Sequence, residues 1–284
     1  MSAMLEIENL SVHLDGPDGR RLVDDVSFDL ADGQRLGVIG ESGSGKSLTA
    51  LAVLGLLGHP LSASGSIRLS LGDGDTVDTV SAPGRRLDGV RGRTVGAVFQ
   101  EPLASLDPLM RIGAQLAWPL RRHRGFRADA LRRAVLDALA EVQLPEPERI
   151  ARSLIHEVSG GQRQRVAIAL ALAAEPRLLI ADEPTTALDV TVQAGVLELL
   201  QAAVENRGMS LVFISHDLPV VAGIADRVVV MRGGRVVEIG DTRRILTAPR
   251  EEYTRTLVGA SRALDDLLPA RPAGSDGPTS GGTE

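Results

Sequence analysis

Gly40-Glu41-Ser42-Gly43-Ser44-Gly45-Lys46-Ser47 decides how this chain is read. Before it, Gln34 to Ile39 is a short apolar run of strand type; after it, Lys46 to Leu57 has the length and composition of a helix. Strand, glycine loop and helix in this order form a phosphate-binding unit. The glycines let successive backbone N–H groups converge on an anion, and the helix N-terminus adds a favourable dipole. In such a unit Gly40, Ser42, Gly43, Ser44, Gly45 and Leu48 line the phosphates, Lys46 holds the outer ones, and the Ser47 hydroxyl faces Mg²⁺. Alone, the motif establishes nucleotide binding and no more.

A second stretch supplies the other half of such a site. Leu178 to Ala181 is an apolar strand that delivers Asp182, a carboxylate suited to Mg²⁺, with Glu183 next to it facing the terminal phosphate. Glu183 is the candidate general base. A carboxylate pair after a strand can also merely cap the next helix, and the intact glycine loop is what favours the catalytic reading here.

Composition narrows the classes. The chain has 284 residues, 43% of them apolar and only 2% aromatic, so Leu, Val, Ile and Ala must fill the core. Few aromatics and a net charge of −6 argue against nucleic acid as a partner, since base stacking and phosphate neutralisation both lack their residues. The absence of cysteine rules out disulfides, thiolate zinc sites and cysteine-ligated iron–sulfur clusters. Met1 to Asn9 lacks the layout of a secretory signal, so the chain is expected in the cytoplasm. The most apolar stretches, Leu48 to Gly58 and Val166 to Ala174, fall short of the roughly 20 residues a membrane span needs, so membrane attachment has to go through a partner.

Outward from the loop, Leu5 to Leu14 and Leu22 to Leu30 read as strands of an antiparallel lobe, which residues Ser62 to Gly92 complete with further β-like runs and loops. Leu116 to Leu144 reads as largely helical, with Leu131, Val135, Leu139 and Val142 on one face. Leu211 to Ile214 is another buried strand, and Arg227 to Met231 with Arg235 to Glu238 form a hairpin around Gly233 and Gly234. The tail after Ala270, rich in Pro, Gly, Ser and Thr, is expected to be disordered.

Ser159-Gly160-Gly161-Gln162 before a helix-like run, Arg163 to Ala174, is the most discriminating feature. A serine and two bare N–H groups at a helix start make a further anion site, although the first loop already takes the phosphates of one nucleotide. Two such elements in one chain suggest two chains sharing each nucleotide. These residues resemble the signature motif of ABC transporter ATPases. The resemblance implies an α/β fold with a P-loop, RecA-like core, an antiparallel β lobe and a helical subdomain. It also implies a head-to-tail dimer, with ATP between the P-loop of one subunit and the Ser159 to Gln162 turn of a second ATPase subunit.

Further elements follow in the family's order. Phe99-Gln100 resembles the Q-loop, where Gln100 contacts Mg²⁺ or the attacking water; Ala187-Leu188-Asp189 resembles the D-loop at the dimer seam; His216 resembles the switch histidine that reaches the γ-phosphate. A lone histidine after a strand is usually structural, and order and context are what single out His216. The resemblance covers about Met4 to Val258. It implies an ATPase domain over 1–245 with a helical subdomain at about 103–158, a short helical extension over 246–269 and a tail over 270–284.

Gln100 to Pro108, His156 to Ser159 and Asp182 to Ala194 are similar to the dipeptide, oligopeptide and nickel importer branch. That branch implies a peripheral subunit on the cytoplasmic face of the plasma membrane, powering uptake through two permeases fed by an extracellular solute-binding protein. Val158 stands where the family usually has Leu. Leu14, or else Arg20, stands where an aromatic normally stacks on adenine, with His13 nearby on the other strand face; the choice between ATP and GTP stays open. Ala248 to Thr254 resembles the start of the peptide-importer extension without its cysteine-containing continuation. The rival reading, a soluble ABC ATPase acting on nucleic acid or ribosomes, calls for a long coiled-coil insertion or tandem cassettes, whereas this sequence has one modest helical segment between Gln100 and Ser159 and one P-loop.

Overall fold

The computed structural model describes residues 3–16, 19–72, 74–186 and 189–267. Among them two sheets form. The first is antiparallel with strand order β2-β1-β4-β5, from β1 (Ala3–Leu14), β2 (Arg21–Ala31), β4 (Leu61–Gly72) and β5 (Asp75–Asp78). The second has the order β10-β9-β3-β8-β7-β6, from β3 (Arg35–Ile39), β6 (Val95–Val98), β7 (Leu178–Asp182), β8 (Ser210–Ser215), β9 (Arg227–Arg232) and β10 (Arg235–Asp241). Its strands run parallel except for β10, which returns antiparallel along β9 around the expected Gly233-Gly234 turn.

The central strands are buried on both faces, and their alternation divides the core. Leu178, Ile180, Val212 and Ile214 point to the antiparallel sheet and the helix α1 (Lys46–Val53). Leu179, Ala181, Leu211 and Phe213 point to the opposite, helical side. That side holds α3 (Pro102–Ser105), α4 (Ile112–His123), α5 (Ala128–Glu141), α6 (Pro147–Arg152), α7 (Gly160–Leu172), α8 (Val190–Arg207) and α9 (Leu218–Ile224). The expected face of α5 is confirmed, with Val135, Leu139 and Val142 buried and Leu131 packed against them.

Three local expectations are corrected. The helix after the glycine loop ends at Val53 rather than Leu57. Gly55 adopts a positive φ of 60°, its N–H bonds to the Ala52 carbonyl and the Leu56 N–H to Leu51, the pairing that terminates helices. Part of the loop region expected over 62–92 is helical instead: α2 (Gly84–Val90) forms there with Leu87 and Val90 buried. Two glycines make this a poor helix in isolation, so tertiary burial of those two side chains sustains it. The helical stretch over 116–144 begins earlier, at Ile112, and breaks at Gly125. Near the end, α10 (Thr242–Thr247) and α11 (Glu252–Leu267) form; the tail over 270–284 lies outside the described residues. Among the described residues no helix is long and apolar enough to cross a membrane.

Helix α7 lies so close to β6 that a Cβ on Gly96 would come within 2.6 Å of the Ala171 carbonyl and 2.9 Å of Pro176. Gly96→Ala should therefore push helix and sheet apart and cost about 1–3 kcal/mol, read as a lower urea midpoint with an unchanged slope.

Candidate active site

Strand β3 ends at Ile39, and the chain turns through the glycine loop into α1. Gly45, the residue before that helix, has φ 98°, a conformation that favours glycine. No side chain caps the helix, so its first N–H groups remain available for an anion. The Lys46 side chain folds back beneath the loop. It is 5% exposed, and its ammonium donates to the carbonyls of Gly40 at 2.7 Å and Glu41 at 2.9 Å. Burial lowers its pKa from the usual lysine range, while the charges of Glu183 and Asp182 oppose the shift. A bound phosphate would meet a preformed cradle and a cation already stripped of water.

Asp182 ends β7 with 6% exposure, and burial raises its carboxyl above the usual range. A hydrogen bond with Ser47 acts against that rise, and Oδ1 is buried without a partner. An orphaned carboxylate oxygen beside a hydroxyl is a donor set suited to a hard cation such as Mg²⁺, so these residues fit the ion.

Glu183 holds a left-handed backbone at φ 47°, unusual for a residue with a side chain, and its N–H donates to the Ile214 carbonyl at 2.9 Å. Its Oε2 accepts a hydrogen bond from the Thr186 hydroxyl at 2.9 Å and lies 3.3 Å from His216 Nδ1. One cleft of about 520 Å³ brings Ser42 to Leu48 together with Gln100, Glu183, Thr186 and His216. All of them stand beyond the C-terminal ends of β3, β6, β7 and β8, where open α/β sheets bind ligands. Thr186 was not singled out from the sequence; its only signal there was its place in the Asp182 to Ala194 run.

The remaining candidates stand apart. Ser159, Gly160, Gly161, Gln162 and Asp189 do not line that cleft. Ser159 caps α7: its hydroxyl accepts from the Gln162 N–H at 3.3 Å, and the Gln162 side chain accepts the Ser159 N–H at 3.0 Å. Gly160 and Gly161 open that helix with N–H groups that have no intrahelical acceptor. Asp189 caps α8 through the Val192 N–H at 3.0 Å, while Ala187 and Leu188 lie outside the described residues. Leu14 ends β1 with 39% exposure, and His13 is half-buried; neither lines the cleft.

The profile of the ABC transporter family matches residues 23–186, more than half of the chain and the whole run from the glycine loop to Thr186. This chain belongs to the ABC transporter family. It is 46% identical over 258 residues to the peptidoglycan transport ATP-binding protein YejF of Agrobacterium fabrum, a match that covers 90% of this chain and 47% of that protein. The chain thus spans about half the length of that relative. It is 45% identical over 246 residues to the peptide import ATP-binding protein BOV_A0348 of Brucella ovis, covering 86% of this chain and 73% of that one. Among solved structures, the dimeric ATP-binding cassette MJ0796 bound to ADP and Pi superposes with a TM-score of 0.74 at 27% identity, over 84% of this chain and 99% of that one. The cbiO1 subunit of the Clostridium perfringens ABC transporter complex cbiONQ gives 0.71 at 26%, over 94% and 99%. The chain is an ABC-type ATPase cassette.

Burial of Asp182 has a measurable sign. Its folded pKa lies above the unfolded value near 3.8, so the native chain keeps a proton that the unfolded chain releases, and stability falls as pH rises from there through the folded value. Asp182→Asn should remove this penalty and stabilise the nucleotide-free cassette at pH 7.5 by on the order of 1 kcal/mol, seen in thermal unfolding, while Mg²⁺-dependent ATP binding is lost.

Proposed function

We propose that the chain is the motor subunit of an importer at the cytoplasmic face of the plasma membrane, where it works as a peripheral component driven by ATP. The observation that carries this is the division of anion sites. Ser42 to Leu48, Glu183 and His216 share one cleft, with Asp182 beside Ser47 at its base, while the Ser159 helix start lies elsewhere with unspent N–H groups. A head-to-tail pair, with itself or a paralogue, supplies each cleft with the other subunit's Ser159 to Gln162 turn and with Asp189 at the seam. The dimeric MJ0796 cassette supports such pairing.

Within the cleft, the amides of the loop from Gly40 to Leu48 cradle the phosphates, and Lys46 transfers its ammonium from the loop carbonyls to the outer phosphate oxygens. Ser47, Asp182 and Gln100 would hold Mg²⁺, which when bound supplies positive charge against the phosphates. Glu183 orients or deprotonates the attacking water. Thr186 and His216 fix its carboxylate, and His216, whose Nδ1 faces Glu183, is left with Nε2 for the γ-phosphate. Leu14 or Arg20 offers the adenine a contact without an aromatic ring.

The permeases would dock on the groove between the sheet and α4, about 510 Å³ in volume and lined by Leu56, Phe99, Met110 and Trp118. Leu56, Met110 and Trp118 are 43%, 43% and 55% exposed, apolar surface of the kind that partners cover. Relatives named for peptide and peptidoglycan transport support peptides as cargo; a related small solute such as nickel, and delivery by an extracellular solute-binding protein, rest on the resemblance to the peptide and nickel importer branch. The alternative of a soluble ATPase acting on nucleic acid or ribosomes gains nothing from these relatives or from the net charge of −6.

Glu183→Gln should bind ATP as the parent does, lose roughly 100-fold or more in turnover, and persist as an ATP-bound dimer on size-exclusion chromatography. Ordinary steady-state hydrolysis by that variant would remove Glu183 from the role. Trp118→Glu should leave hydrolysis by the isolated subunit intact and abolish co-purification with the permeases. Retained co-purification would place the docking surface elsewhere.

A further inference from the structure

The phosphate loop is held from outside by the chain's C-terminal segment, which none of the roles above uses. The peptide group joining Gly40 to Glu41 is gripped on both edges. Its carbonyl accepts from Lys46 Nζ at 2.7 Å, and its N–H donates to the Tyr253 hydroxyl at 3.2 Å. Gly40 has φ 154°, and a Cβ there would run into the Met231 carbonyl, so this residue lacks the side chain that would restrict its rotation. Once Lys46 moves to a phosphate, the Lys46 grip is lost and the Tyr253 grip is the one described bond left on that peptide.

Tyr253 is well placed to bear that task. It is 8% exposed, packed in the helical-side core, and the Arg232 guanidinium lies 4.7 Å from its ring centre at the end of β9. The turn just before it is pinned to β10: the buried carboxylate of Glu238 accepts from the N–H groups of Arg250 at 3.1 Å and of Glu251 at 3.1 Å. Burial raises the Tyr253 pKa above the usual tyrosine range, and the neighbouring Glu41 carboxylate adds to the rise. Helix α11, whose first turn holds Tyr253, also packs against α9, the helix that follows His216. The C-terminal segment thus touches both the phosphate loop and the helix that follows His216.

We propose that Tyr253 is a positioning residue for nucleotide binding, its hydroxyl fixing the Gly40–Glu41 peptide so that the loop keeps its phosphate-binding shape when Lys46 is drawn onto the nucleotide. This rests on the glycine loop being the ATP site. Tyr253→Phe keeps the ring and its packing and deletes only the hydroxyl, and Tyr253→Ala deletes both.

Full-length wild type and both variants are titrated with a fluorescent, slowly hydrolysed ATP analogue in Mg²⁺, and their thermal unfolding is recorded. The Phe variant should bind the analogue about fivefold more weakly, the size of one hydrogen bond, while remaining fully folded at the assay temperature. Its KM for ATP should rise by the same factor with kcat retained, while the Ala variant also melts lower. Unchanged affinity in the Phe variant overturns the proposal, as does an affinity loss that its unfolded fraction fully explains. Failure of the wild type to bind the analogue would overturn the ATP site itself, and this inference with it.

Discussion

Strand β8 lies between β3 and β7, and the parallel ladders on its two edges are the constraint on which the rest depends. Arg35 to Ile39 pair with Leu211 to Ser215, and Leu178 to Asp182 pair with Ser210 to Ile214. That register brings the end of β3, with its phosphate loop, level with the end of β7, with its carboxylates. His216 follows from the strand between them. Segments separated by more than a hundred residues thereby share one cleft, and no local interaction could bring them there.

The same arrangement concentrates opposite charges where water is scarce. Lys46 and Asp182 are both nearly buried, and burial shifts each toward its neutral form. The free cassette meets this partly, through the carbonyls that hold Lys46 and the Ser47 hydroxyl near Asp182. One carboxylate oxygen stays unpaired. Unspent polar groups of this kind are what the proposed phosphate and Mg²⁺ would engage, and preorganised electrostatics is what phosphoryl transfer requires.

Much of this was legible in the residues because each signal is local. A glycine loop needs its glycines within a few positions, a buried strand needs a short apolar run, and a helix cap needs a serine ahead of it; Leu178 to Asp182 and Ser159 to Gln162 were readable for that reason. What was misread depended on distant partners. Helix α2 exists because Leu87 and Val90 find a core to enter, despite two glycines that argue against a helix. The Thr186 contact to Glu183 depends on a left-handed turn at Glu183 that no propensity for glutamate would suggest.

The sequence by itself determined the chemistry on offer: a glycine loop of phosphate-binding type, a paired carboxylate, a second glycine-rich helix start and a core of aliphatic residues. Composition and spacing are properties of the chain and survive without a fold. Only the tertiary structure decided which of these groups meet. It put Glu183, Thr186 and His216 around one oxygen, kept Ser159 out of the same cleft, and set the Tyr253 hydroxyl on the Gly40–Glu41 peptide from the far end of the chain. The physical reason is that such meetings are set by strand order and by packing across both faces of a sheet, terms that couple residues remote in sequence and leave no mark on either segment alone.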